Sequence, residues 1–169
     1  DADATIVELY IDPEYREDCN IGEIKIIDDG CGMNKKEIIN GWLKISASKK
    51  RKMKENNQVT DKFGRYPLGE KGLGRLSSMR LGIKMTLIKK KEDEIEELIL
   101  EIDWKEFNKD DDLSNISFDI YSRPVSNKEK DSYTKLVITD LNDIQIWKKK
   151  RKINKLEKEL SKIVSPFDY

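Results

Sequence analysis

Ile26-Ile27-Asp28-Asp29-Gly30-Cys31-Gly32-Met33 is the stretch on which the fold turns. An apolar, β-branched run ends on a carboxylate and then on glycines, so a strand delivers an acid to its tip and the backbone beyond it is free to turn sharply and admit a flat ligand. An aspartate held there accepts a hydrogen bond from an exocyclic amine such as adenine N6, and Met33 offers a polarizable surface to a ring. A strand closed by an ordinary Asp-Gly turn has the same spelling, so the motif alone decides nothing.

Upstream of it, Thr5 to Ile11 is a β-branched run, and Gly22 to Ile27 places Ile24 and Ile26 on one face. Two strands are expected, joined by a polar loop around Pro13 to Asn20. Downstream, Asn34 with Glu37 three residues on spells a capping box for a short helix carrying Ile38, Ile39, Trp42 and Leu43 inward. From Ser46 to Pro67 the chain is polar, basic and without period, and a loop of that length inside a domain reads as a lid over about 46–70. A helix over Gly72 to Arg80 follows, then strands at Ile83–Lys89, Ile95–Ile102, Ile116–Tyr121 and Lys135–Thr139. A long helix over Asp143–Val164 closes the chain. Consecutive strands with grouped helices predict an α+β two-layer sandwich, a mixed, mostly antiparallel sheet with helices on one face.

The 169 residues fit a single domain spanning 1–169. Lys plus Arg and Asp plus Glu each number 33, so no global charge draws nucleic acid or an anionic membrane. The basic runs Lys49–Lys52 and Lys148–Lys152 are read as solvated faces, with nucleic acid a partner they leave open but do not indicate. No run approaches the roughly 18 apolar residues of a membrane span, and a cytoplasmic setting is expected. The chain has no histidine, which removes imidazole acid-base chemistry and a phosphoacceptor histidine, and Cys19 and Cys31 lack metal-ligand spacing. Trp42, Trp104 and Trp147 are read as packing anchors.

A second motif, Gly69-Glu70-Lys71-Gly72-Leu73-Gly74, opens the predicted helix. Free amides at a helix start, with glycines beside them and Lys71 adjacent, suit a polyphosphate; a glycine hinge capping a helix has the same form. A Walker loop is excluded because Glu70 and Lys71, then Gly72, follow where Lys and Ser or Thr are needed. A dinucleotide fingerprint is excluded because these glycines follow a long polar loop and not a strand, with Ser77 at the last small position.

The order strand, Asp-x-Gly-x-Gly, short helix, polar lid, Gly-x-x-Gly-x-Gly, helix, strand resembles the Bergerat ATP-binding fold of the GHKL superfamily of gyrase, heat-shock chaperones, histidine kinases and MutL. Tyr133-Thr134-Lys135-Leu136-Val137-Ile138-Thr139-Asp140-Leu141 is similar to its third motif, although Tyr133 stands where a glycine is usual. Asp1-Ala2 looks like the close of its first motif, whose general-base Glu and Mg²⁺-binding Asn would precede residue 1. The 169-residue chain alone is therefore expected to bind ATP weakly and hydrolyse it negligibly.

The resemblance implies ATP and Mg²⁺ as cofactors and adenine binding by Asp28, with Gly30, Gly32 and Met33 around the base and Thr134 in the adenine network. It further implies phosphate contacts from Lys71, Gly72, Leu73 and Gly74. The spelling is nearest the chaperone, MutL and MORC-like branch, which implies an ATPase with lid closure, a homodimer and further domains. A histidine kinase catalytic domain and a non-catalytic nucleotide sensor or interaction module are the alternatives.

Overall fold

The computed structural model describes residues 2–18, 20–39, 56–60, 62–66, 74–106, 118–125 and 131–162. The strands are β1 (Val7–Glu17), β2 (Asn20–Asp28), β3 (Gly82–Lys90), β4 (Glu96–Asp103), β5 (Ile120–Pro124) and β6 (Tyr133–Leu141). They form one sheet in the order β1-β2-β6-β3-β4-β5. Every neighbouring pair is antiparallel, so the sheet expected to be mixed has no parallel pair among the described strands. The cause is β6, which inserts between β2 and β3 and runs opposite to both, while the remaining neighbours are consecutive strands.

Directly paired residues of an antiparallel sheet share a face, so the register lays the core out in rows. Ile11, Ile24, Ile138, Met85 and Ile102 form one row, and Leu9, Ile26, Leu136, Leu87 and Leu100 the next. The central members Leu87 and Leu100 are fully buried. Helices cover this face. Ile38 of α1 (Lys35–Ile38) lies in the same cluster, and Leu81 of α2 (Gly74–Leu81) and Ile144 and Trp147 of α3 (Ile144–Trp147) pack against it. The opposite face is mixed: Tyr10, Lys25, Val137, Thr86 and Glu101 form one row across it, and Glu8, Ile27, Lys135, Ile88 and Ile99 the next. The two-layer α+β arrangement expected from sequence is the observed one.

Local chemistry explains the element ends. The capping box at α1 forms as spelled: Glu37 N donates to Asn34 Oδ1 and Asn34 N donates to Glu37 Oε2, each at 2.9 Å. Asn142 satisfies the end of α2 by donating its side-chain amide to the carbonyls of Met79 and Arg80 at 3.2 and 3.3 Å. Trp104 and Trp147 pack against the core as read, and Trp147 Nε1 donates to Asn142 O at 3.2 Å.

Two expectations are corrected. The loop placed at Pro13 to Asn20 is instead the continuation of β1 and β2, with Arg16 paired to Ile21 and Glu17 to Asn20 beyond a register shift after Asp12. Proline is tolerated because β1 is an edge strand, and the turn is made at Asp18 with φ 52°. The single helix over Asp143–Val164 is two, α3 and then α4 (Lys150–Ser161), broken where Lys149 adopts extended backbone (φ −83°, ψ 104°). Trp147 must face the core, whereas α4 carries Ile153 and Leu156 only half-buried, and one straight helix does not serve both. Trp42, Leu43 and the strand start at 116 lie outside the described residues.

Leu87→Ala removes a fully buried side chain from the middle row. It is expected to lower unfolding free energy by about 2–5 kcal/mol, read from the urea midpoint at unchanged slope.

Candidate functional site

One further row completes the helix-facing side of the sheet, and it is polar at its centre. Val7, Asp28, Thr134, Lys89 and Leu98 stand side by side on β1, β2, β6, β3 and β4. Asp28 and Thr134, distant in the chain, are direct cross-strand partners, which places their Cα atoms about 4.5–5.5 Å apart. Thr134 is buried and Asp28 half-buried. Asp28 Oδ1 accepts from Gly30 N at 3.0 Å, and Oδ2 has no partner among the described residues. Lys89 Nζ donates to Thr134 Oγ1 at 3.0 Å.

The loop after β2 is held from two sides. Asp29 Oδ1 accepts from Thr5 N at 2.7 Å and from Ile6 N at 2.9 Å, and Thr5 Oγ1 donates to Asp29 Oδ2. Partial burial of Asp29 would raise its pKa, but these donors outweigh that and hold it below the ordinary carboxylate value. Cys31 N donates to Ala2 O at 2.8 Å. On the far side Gly32, at φ 63°, rests on the end of β3 so closely that a Cβ would lie 2.1 Å from Lys90 O. Both the left-handed backbone and the contact require glycine there. Met33 packs against the core at the edge of this loop, and Cys31 is exposed and free.

Three consecutive lysines of β3 and its exit brace the site. Lys89 meets Thr134, and Lys90, fully buried, donates from Nζ to Asp131 O at 3.0 Å. Lys91 Nζ lies 3.5 Å from Glu37 Oε2 and so ties the α1 cap to the end of β3. Sequence reasoning missed Lys89. The signal was available: it continues the alternation of Met85 and Leu87 and therefore faces the core side.

A second unforeseen feature involves Asp3, which is buried at φ 53°. Its Oδ1 accepts from Thr60 Oγ1 at 2.5 Å and its Oδ2 from Lys62 N at 3.0 Å. Arg65 donates from Nη1 to Ala4 O at 2.6 Å and from its backbone N to Thr60 Oγ1 at 2.8 Å. The described part of the expected lid, 56–60 and 62–66, is thus a turn docked on the segment leading into β1.

Of the remaining site calls, Gly74 is the first residue of α2, which packs on β3 and β6. Lys71, Gly72 and Leu73, with 40–55, 61 and 67–70, lie outside the described residues.

A free carboxylate oxygen, a hydroxyl beside it and a glycine loop at the end of an apolar sheet face form a donor and acceptor set that fits a purine edge. A family model for histidine kinase-, DNA gyrase B-, and HSP90-like ATPases matches residues 1–134. The chain belongs to that family. No curated relative matches it. The match spans both glycine motifs and runs to Thr134. ATP is the nucleotide its family binds. Among the described residues no group of three or more His, Cys, Asp or Glu converges as a metal site would, and no helix is long and apolar enough to cross a membrane. The basic run Lys148–Lys152 is exposed, with Lys148 Nζ 2.7 Å from Glu14 Oε1; the run at 49–52 is outside the described residues.

Burial alone would raise the Asp3 pKa, but hydrogen bonds from Thr60, Lys62 and Phe63 and the charge of Arg65 hold it below the ordinary value. A depressed folded value means that the stabilisation is present above the unfolded aspartate pKa of about 3.9. It is lost as pH falls through the lower folded value. Hydrogen exchange at the Lys62 and Arg65 amides is expected to show protection that declines on acidification below about pH 4, and Asp3→Asn is expected to weaken it at neutral pH. Protection indifferent to both contradicts the anchoring role.

Proposed function

We propose that the polar row is the adenine end of an ATP site, and that the domain couples ATP binding and hydrolysis to closure of the 46–70 segment and to dimerisation. The observation that carries this reading is the cross-strand pairing of Asp28 with Thr134 beside a loop that only glycine can make.

In this reading Asp28 Oδ2 accepts the hydrogen bond of the exocyclic amine, its other oxygen being occupied by Gly30 N. Gly30 and Gly32 keep the loop low enough for the base to lie against it, and Met33 packs near the ring. Thr134 supplies the neighbouring hydroxyl. The phosphates run toward the start of α2, where Gly72, Leu73 and Gly74 offer amides and Lys71 adds a charge-assisted contact. Mg²⁺, when bound with the nucleotide, would neutralise phosphate charge. The chain's own part is to orient the base, position the phosphates and exclude water as the segment closes.

The docked turn at Thr60–Arg65 gives that closure a physical basis. Among the described residues it is held by hydrogen bonds to Asp3 and Ala4, with exposed Val59, Phe63 and Tyr66 around them. Elements with few buried apolar contacts open at low free energy. Such a segment can exchange partners when a nucleotide arrives.

Asp28→Asn replaces the charged acceptor while conserving shape. It is expected to lower ATP affinity by about ten- to a hundredfold, as loss of a charge-assisted hydrogen bond does, with the circular dichroism and melting temperature unchanged. Calorimetric titration of the folded variant checks this, and an ATP affinity equal to that of the parent removes the adenine assignment.

A further inference from the structure

We infer that Lys89 is a specificity-determining positioning residue: its ammonium fixes the Thr134 hydroxyl as a hydrogen-bond donor toward the ligand, so that the row presents an acceptor and a donor side by side. The inference rests on the reading of Asp28 and Thr134 as the adenine site.

The geometry is specific. Lys89 and Thr134 are cross-strand partners, both buried, and Lys89 Nζ donates to Thr134 Oγ1 at 3.0 Å. An ammonium has donors and no acceptor, so the oxygen must accept in that contact. A hydroxyl that accepts from Lys89 has its own proton left to point elsewhere, and among the described residues that proton is not engaged in a hydrogen bond. On the other side of Thr134 in the same row stands Asp28, whose Oδ2 accepts and cannot donate when ionised.

Acceptor beside donor is the complement of adenine. Its exocyclic amine donates, and the ring nitrogen flanking that amine, N1 on one edge or N7 on the other, accepts. Guanine and hypoxanthine carry an oxygen acceptor at position 6, which would face the Asp28 carboxylate and leave two acceptors opposed. Without Lys89 the Thr134 hydroxyl is free to rotate and accept as readily as donate, and the ring-nitrogen half of the discrimination is lost. Burying a lysine is costly unless its charge is satisfied, and the Thr134 hydroxyl supplies a polar contact for it within the buried row.

The test compares the chain with Lys89→Met and Lys89→Arg by calorimetric titration of ATP, inosine triphosphate, 1-deaza-ATP and 7-deaza-ATP, with circular dichroism to certify folding. The parent is expected to bind ATP on the order of tenfold more tightly than the deaza analogue lacking the accepting nitrogen. Lys89→Met is expected to bring that ratio toward one while retaining the preference for ATP over inosine triphosphate, which depends on Asp28. Lys89→Arg is expected to restore the ratio, which a merely structural role would not produce. An unchanged deaza ratio in folded Lys89→Met overturns the role of Lys89 alone. A parent with no preference for ATP over inosine triphosphate overturns the adenine reading and this inference with it.

Discussion

The carboxylate of Asp29 holds the whole arrangement in place. By collecting the backbone amides of Thr5 and Ile6 and the hydroxyl of Thr5, it fastens the loop after β2 to the chain entering β1. That fastening, with Cys31 N on Ala2 O and Gly32 against Lys90 O, leaves the loop no freedom to swing off the sheet end. Two adjacent aspartates therefore divide the work. Asp29 is consumed by the fold and held ionised by its donors, while Asp28, one residue earlier and on the other side of the strand's pleat, keeps an oxygen for a ligand.

The same logic runs through the lysines that follow β3. A run of Lys89, Lys90 and Lys91 reads in isolation as a solvated strand end, yet alternation sends successive side chains to opposite faces. Lys89 enters the site row, Lys90 is buried on the other side against the Asp131 carbonyl, and Lys91 reaches the Glu37 that also caps α1. Each of three separate chain segments is thereby referred to one strand end. The polar row built this way depends on the central strands β6 and β3 and not on the loop alone.

Much of this was legible in the residues. The strand ending at Asp28 and the capping box at Asn34 and Glu37 follow from short-range rules, and short-range rules are what local spelling encodes. What escaped were outcomes set by neighbours distant in sequence. Pro13 is a turn signal by itself, and only its position on an edge strand lets β1 run past it. The helix over 143–164 has one unbroken apolar period, and the break at Lys149 arises because Trp147 is committed to the core while α4 is not. Asp3 and Thr60 carried no pattern at all, since a contact between two short polar side chains leaves no periodic trace.

The substitution of Tyr133 for the usual glycine before the motif threonine shows why a departure must be weighed by face before it is counted against a site. Thr134 points to the helix layer, so Tyr133 points away from it. There its hydroxyl donates to buried Glu97 Oε2, whose other oxygen accepts from Arg123 Nε at 2.5 Å, while Lys135 Nζ sits 4.5 Å from the ring centroid. The bulky ring is thus spent on tying the start of β6 to β4 and β5 across the far face. The effect on the site is indirect and favourable: the strand end that carries Thr134 is clamped from behind. A residue whose bulk would obstruct a ligand on one face of a strand instead fixes, from the other, the threonine that pairs with Asp28 across the sheet.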